Sequence, residues 1–449
     1  MGIRDRIEGL RIALGEPIDG ASLASFRVLF GLFAAWSALR FMWKGWVDAL
    51  YVEPSFFFTY AGFDWVTPWP SWGMHLHFAA LAALGILIAL GLHYRLAITA
   101  WFFAFTYVEL LDRSNYLNHY YLLSLVALLM IFMPLGEVYS LDARRRGDPR
   151  GGRLPAWCLW LLRFQLGIVY FFAGVAKVQP DWLLRAEPLA TWLPARADLP
   201  VLGPILALPA APWLMSWAGA IFDLGVVFFL LNRRTRLLAW GVAGVFHVVT
   251  GAMFRIGLFP WIMIAATTIF FDPAWPRAVA RRLRLPVAPA PLAPASGSPR
   301  PASPSLVLAL GLWAAMQLLL PMRHVLYPGD VLWTEEGFDF SWRVMVMEKA
   351  GQVDFTVHAP DGRTWIVPPR RYLAPHQLGA FATRPEMILT LAHRIALDYA
   401  AEGPVTVTAD AWVSFNGRRR QRLIDPTVDL SRVDRWGGHR PWILPLAGD

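Results

Sequence analysis

The 449-residue chain is 56% hydrophobic and only 16% charged, with 23 Trp, 29 Phe and a formal charge of +9; its mean hydropathy is +0.43. Soluble domains average roughly 25% charged residues, so an ordinary soluble enzyme is excluded, as are a disordered chain and, with Cys158 the one cysteine, a disulfide scaffold. Nor does the charge mark nucleic-acid binding: residues 322–449 hold 15 basic and 15 acidic side chains, so the excess lies in residues 1–321, with 26 against 17, as in the cytoplasmic loops of a membrane protein.

Residues 1–15 carry Arg4, Asp5, Arg6, Glu8 and Arg11, too many charges for a signal peptide, and read as a cytoplasmic amphipathic lead-in. Apolar runs approaching the ~20 residues that cross a bilayer follow near 24–43, 75–94, 97–111, 117–135, 156–177, 213–231, 236–254, 256–271 and 304–320. The third and eighth are short, as tilted or partly buried spans are. Nine crossings put the termini on opposite sides. With the N-terminus inside, 17 arginines from Arg4 to Arg300 fall in inside segments, against Arg113, Arg185, Arg196 and Arg255 in the outside loops. That bias predicts a cytoplasmic N-terminus and an outer C-terminal domain.

The expected organisation is a transmembrane domain over 1–285, a Pro/Ala-rich cytoplasmic linker over 286–303, a last transmembrane helix over 304–321 and an outer domain over 322–449. The linker, PVAPAPLAPASGSPRPASP, cannot pack a core. Beyond the last span, RVMVME, QVDFTVHA and VTVTADAWVSF read as strands, DGRT and NGRR as turns, and 374–400 as helix with a break or second start at Pro385. The predicted fold class is therefore a polytopic α-helical membrane protein with a C-terminal α+β, β-rich domain. Absence of a P-loop, a GxGxxG segment, an internal repeat or Cys/His metal spacing gives no reason to expect a bound metal, and no nucleic-acid partner is expected.

Ionisable side chains inside spans are costly and face protein or water. Six stand out: Glu109, His119, Arg163, Lys177, Asp223 and His247. On the topology above, most gather in the outer half of the bilayer. Arg163, Gly167, Tyr170, Gly174 and Lys177 fall on one helical face, thinned by the glycines so that a partner helix or a flat ring can approach. A plainer reading is a small-residue packing stripe ending in a snorkelling lysine. An isolated membrane histidine such as His247 more often serves a structural hydrogen bond. Asp223 and Glu109 have Arg163 or backbone groups as possible partners, and Cys158 reads as a small apolar filler.

These segments resemble the vitamin K-dependent γ-glutamyl carboxylase family, within the broader group of HTTM membrane domains. The resemblance runs in order through GLHYRL (91–96), LLDRS and NHYYL (110–122), RFQLGIVYFFAGVAKVQPDW (163–182), FDLGVVFFL (222–230) and FHVVTGAMFRIGLFPW (246–261). It continues through SWRVMVME (341–348), DGRT (361–364) and DAWVSFNGRRRQRLIDPTVDL (410–430). It implies an enzyme that oxidises reduced vitamin K with O₂ to the epoxide and uses the base so formed to carboxylate peptide glutamate with CO₂. By the same resemblance the catalytic lysine is Lys177, the catalytic Asn-His pair is Asn118 and His119, the second membrane histidine near the quinone pocket is His247, and the methionine of the SW-containing segment is Met345. Tyr170 and Gly174, on the lysine's helix face, join His247 and Met345 as candidate quinone-binding residues. Two features depart from animal members: Ala176 stands where they carry a second lysine, and one cysteine excludes their disulfide. The chain also ends soon after the shared β-domain, which puts dedicated propeptide docking in doubt.

Desolvation disfavours an ammonium, so a lysine at the lipid-facing edge of an apolar cavity is expected to serve as a neutral base toward a quinol. The expected partners are the bilayer, a lipid-soluble quinol and a glutamate-containing peptide on the outer side, where Met345 and the strand around Trp412 are candidates for the peptide surface. An Ala/Leu/Arg/Pro-rich composition suggests a bacterial inner membrane, where menaquinol could replace vitamin K hydroquinone. Two alternatives stay open: a quinol epoxidase acting on a non-glutamate substrate, and a non-catalytic quinone-binding protein or transporter.

Overall fold

A computed structural model describes residues 2–147, 152–254, 256–285, 300–436 and 438–448. Most of the Pro/Ala linker, together with Arg150 and Arg255 from the charge argument, lies outside the described residues. The chain opens with an exposed helix, α1 (Ile3–Gly15), with no buried residue; Arg11 ties it to the Ala302 carbonyl at 2.8 Å. A two-stranded ribbon, β1 (Pro17–Asp19) with β2 (Arg153–Pro155), sits before the first long helix.

The membrane part is built from α2 (Ala21–Trp43), α3 (Ser71–Leu90), α4 (Tyr94–Leu111), α5 (Asn118–Phe132), α6 (Ala156–Val175), α7 (Ala211–Leu231), α8 (Arg236–Met253), α9 (Phe259–Ala266) and α10 (Pro304–Met322). Among the described residues, α2, α3, α6, α7, α8 and α10 are long and apolar enough to cross a membrane. Of the other three expected spans, α4 has the length but carries Arg95 and Glu109, and α5 has 15 residues. The run near 256–271 breaks into the eight-residue α9 and a 3₁₀ turn, Thr267–Phe270. A count of nine full crossings is therefore not reached by length and apolarity.

Packing between apolar helices in lipid relies on close backbone approach. A Cβ on Gly31 of α2 would fall 2.5 Å from Ala89 N, and one on Gly85 of α3 would fall 2.6 Å from Ala35 N. The two small-residue stripes thus let the backbones touch. Buried arginines fix the ends of the bundle. Arg27 donates to the carbonyls of Leu135, Val138 and Tyr139 at 2.7–3.1 Å, and Arg163 to those of Ile269, Phe270 and Phe271 at 2.9–3.2 Å. Arg163 thus satisfies carbonyls at the end of the 3₁₀ turn Thr267–Phe270, and Arg27 carbonyls of the chain that follows α5.

The C-terminal part is a four-stranded antiparallel sheet ordered β4-β3-β5-β6, from β3 (Lys349–His358), β4 (Thr364–Val367), β5 (Thr406–Phe415) and β6 (Gln421–Arg422). Phe355 faces Ala409 and Val357 faces Val407 across the central pair. Alternation sends Val353, Phe355, Val357, Val407, Ala411 and Val413 inward, onto α12 (Pro385–Asp398) through its buried Ile388, Leu391 and Ile395. Helix 374–400 of the sequence reading is two helices, with α11 (Pro375–Phe381) ending before Pro385 opens α12.

The expected strand over RVMVME is absent: regular pairing begins only at Lys349. Phe340, Trp342 and Met345 have φ of +60°, +59° and +53°, a left-handed conformation that breaks the two-residue alternation a strand requires. The segment is held instead by the membrane part. Tyr116 Oη accepts from Phe340 N at 3.1 Å, and Asn118 Nδ2 donates to the Arg343 carbonyl at 3.3 Å.

Charged contacts dock the two parts. Arg113, just after α4, donates twice to Asp339 at 2.6 and 2.9 Å and pairs with Glu386; Arg440 reaches Glu386 at 3.1 Å. Burial alone would raise Glu386, but the two arginines outweigh it and hold its carboxyl at about 2. Asp181 receives Arg418 at 2.7 and 2.8 Å and Asn416 at 2.9 Å. Burial again opposes ionisation there, and these hydrogen bonds hold the carboxyl below its ordinary range.

Candidate active site

A cavity of about 710 Å³ opens where the bundle meets the C-terminal part, well within the range of small-molecule sites. Its walls come from the end of α2 and residues 46–51, from α5, α6, α7, α8, α9 and the turn before it, and from segment 342–347, in which Trp342 and Met345 are left-handed. Six of the seven residues singled out from sequence line it: Asn118, His119, Tyr170, Lys177, His247 and Met345.

Lys177 sits in the turn that closes α6, where its backbone N donates to Gly174 O at 2.9 Å. It is 6% exposed. Its Nζ donates to Asp223 Oδ2 at 2.8 Å and to Ala173 O at 3.1 Å, and lies 5.2 Å from the Trp182 ring centroid. The lysine is therefore not at a lipid-facing edge but in a buried ion pair with a carboxylate from α7. The sequence reading gave Asp223 Arg163 or a backbone group as partner; a separation of 46 positions carries no signal that it meets Lys177, and Arg163 is engaged with carbonyls.

Tyr170 Oη and His247 Nε2 are 2.7 Å apart. His247 is buried, and its Nδ1 has no hydrogen-bond partner among the described residues. Phe246 and Phe222 stack nearby at 4.1 Å between centroids, and Phe259 meets the His247 ring edge-on at 5.8 Å. His119, second residue of α5, packs on Tyr120 at 4.5 Å and on Phe259 at 5.4 Å. Asn118 accepts from Tyr116 Oη at 3.1 Å while donating to the Arg343 carbonyl, and so joins α5 to the cavity's outer wall.

Gly174 does not line the cavity. A Cβ there would fall 2.8 Å from Leu224 N, so this glycine serves the contact between α6 and α7 and, through it, brings Lys177 within reach of Asp223. Glu109 borders a separate, much smaller space beside Tyr51 and Tyr120. Trp412 is 38% exposed on β5, with Arg422 stacked 5.0 Å from its ring, and takes no part in the cavity. Cys158 is buried in the bundle core.

Comparison with known proteins covers nearly the same ground. The HTTM domain matches residues 16–275, more than half of the chain, and the domain described as "Vitamin K-dependent gamma-carboxylase, lumenal domain" matches residues 302–449. The chain belongs to the vitamin K-dependent gamma-carboxylase family. It is thus a multi-pass membrane protein with an extracytoplasmic, sheet-containing domain, and the cavity lies between the parts covered by the two matches. No solved structure matches it significantly.

Proposed function

We propose that this member of the family is a reduced-quinone-dependent carboxylase of peptide glutamate, with Lys177 and Asp223 acting together as its base. The observation that carries this reading is the convergence of Lys177, Asp223, His119, Asn118, Tyr170 and His247, from four helices or their ends, on one largely apolar cavity. The residues present suit a quinol. Aromatic walls take a flat ring, and His247 offers a buried nitrogen without a partner among the described residues, directed by the Tyr170 hydrogen bond. When bound, the reduced quinone supplies the driving reaction: oxidised by O₂ to its epoxide, it releases a base strong enough to take a glutamate γ-proton, and the resulting carbanion adds CO₂.

The ion pair at first looks incompatible with a basic lysine. Proton counting removes the conflict. An ammonium beside a carboxylate holds as many protons as an amine beside a carboxylic acid, and the two forms differ by one proton moved along the 2.8 Å hydrogen bond. Either form accepts one further proton, ending as ammonium and carboxylic acid. Lys177 lines the cavity, and Ala173 O and the Trp182 ring centroid lie at 3.1 and 5.2 Å from its Nζ. The orientation supporting the reading puts the cavity in the outer half of the bilayer, so that quinol arrives from lipid and peptide from the C-terminal domain, whose segment 342–347 forms a wall. A bacterial inner membrane with a cytoplasmic N-terminus and a menaquinol co-substrate fits that arrangement.

The test is anaerobic purification, addition of quinol, a glutamyl peptide, O₂ and labelled bicarbonate, and mass spectrometry of quinone and peptide. Epoxide together with labelled peptide is expected. Epoxide without peptide label would replace the carboxylase by a quinol epoxidase, and neither product would reduce the protein to a quinone binder.

A further inference from the structure

Charge around the cavity is unequal. Arg40, Lys177, Arg343 and Arg384 line it, against Asp223 as the lone carboxylate among the described lining residues. Lys177 is engaged with Asp223, and Arg384 lies 3.8 Å from Glu335. Arg40 and Arg343 differ. Neither side chain makes a hydrogen bond or an ion pair with any described residue, and the Nε of each is buried without a partner.

Both guanidiniums are built in. Arg40, near the end of α2, lies 4.9 Å over the Trp46 ring and against Gly257, where a Cβ would come within 3.1 Å of its Nη2. Gly257 also has φ +61°, so a larger residue is disfavoured twice at the point where the arginine needs room. Arg343 stands between the left-handed Trp342 and Met345, with its carbonyl tied to Asn118. Burial lowers its guanidinium to about 10, with Asp330 opposing; the group remains a cation at neutral pH.

We propose that Arg40 and Arg343 form a carboxylate-binding subsite that grips the glutamyl side chain. The proposal rests on the carboxylase reading and names the residues that select its substrate. A half-buried guanidinium with no direct ion-pair partner is costly; Asp330 acts on Arg343 only from beyond ion-pair distance, and an incoming carboxylate offsets the cost at both arginines. Chemistry asks for the same device. Taking the γ-proton leaves an electron pair on the carbon next to a carboxylate that is already negative. Guanidinium donors on those oxygens stabilise the added charge as it develops. Carboxylation then leaves two carboxylates on one carbon, which two guanidiniums can share. Lysine does not replace arginine fully here, since it lacks the planar pair of donors.

The test compares a glutamyl peptide with its glutaminyl counterpart, equal in shape but neutral. Binding is measured on the full chain in phosphatidylcholine vesicles and, in parallel, with phosphatidylglycerol added. Wild type is expected to prefer Glu over Gln by about ten- to a hundredfold, as loss of a charge-assisted contact implies. R343Q and R40Q are each expected to lose most of that preference while staying monodisperse, and R343K to recover part of it. Discrimination unchanged in both glutamine variants would overturn the subsite. So would discrimination abolished in wild type by phosphatidylglycerol, which would assign the arginines to lipid phosphate. Should R343Q not fold, R343K and R40Q decide alone. Preference for Glu that depends on both arginines, in a protein that puts no label on peptide, would sink the carboxylase reading and leave the anion subsite standing.

Discussion

Arg27 and Lys177 are both buried cations in apolar helical surroundings, and they differ in every other respect. Arg27 is held by backbone carbonyls of the turn after α5 and lines neither of the two cavities described above. Lys177 shares one carboxylate and faces an open space of about 710 Å³. Burial alone, then, does not separate a structural charge from a reactive one. Two things do: whether the partner is a fixed dipole or a group that can itself take a proton, and whether the charged atom has a space in front of it.

Substitutions sharpen that difference. In K177A, epoxide formation per folded molecule is expected to fall by about 10²–10⁴-fold, the usual worth of a general base, and D223N should fall into the same range because the pair shares its proton. K177R should not rescue, since arginine stays protonated at any accessible pH. Epoxide formation near the wild-type rate in either folded variant would make the pair a mere anchor. R27Q should show the reverse pattern. It leaves buried carbonyls short of a donor, at about 1–3 kcal/mol each, so melting temperature and folded yield should drop while turnover per folded molecule holds.

A smaller effect is expected at Tyr170. Y170F removes one hydrogen bond to His247, worth about 1 kcal/mol, and should raise the quinol KM roughly fivefold with little change in kcat; an unchanged KM would detach the histidine from the quinol. The mildest effect concerns docking of the two parts. Glu386 titrates lower in the folded protein than in the unfolded chain, so its contribution is complete above its ordinary carboxyl range and is lost as pH falls toward about 2. Acid titration followed by tryptophan fluorescence should show wild type loosening through that window, and E386Q should lose the pH-dependent part. Identical acid profiles would remove the ion pair from the docking.

Much of this was legible from residues alone. Long apolar runs located the six membrane-length helices, and β-branched alternation located β3 and β5. Motif resemblance picked five side chains, and helix-face periodicity a sixth, Tyr170, that the fold does bring to one cavity. What was hidden is long-range or conformational. The partner of Lys177 lies on another helix, with no spacing rule to connect them. Gly174 shares a helix face with Tyr170 and Lys177 by periodicity, but that face is wide enough to touch both a cavity and Leu224, and the glycine falls on the Leu224 side. RVMVME alternates as a strand does, yet left-handed backbone at Trp342 and Met345 turns it into a cavity wall. Arg40, inside the first apolar run, is not among the intramembrane charges singled out, because sequence does not show which cations lack a partner.

The anchoring of segment 340–346 on Tyr116 and Asn118 bears on how such a protein can be divided or recombined. Its two family-matched regions meet across the cavity, so cutting the chain after Met322 would strip away a wall that holds Met345 and Arg343 and would leave Arg113 without Asp339 and Glu386. A chimera joining one relative's membrane half to another's C-terminal half should therefore assemble only when Arg113, Asp339 and Glu386 travel as a set with the Tyr116 and Phe340 contact. Substrate preference in that chimera should then follow whichever parent supplies segment 342–347, which makes this short stretch the natural unit for moving specificity between homologues.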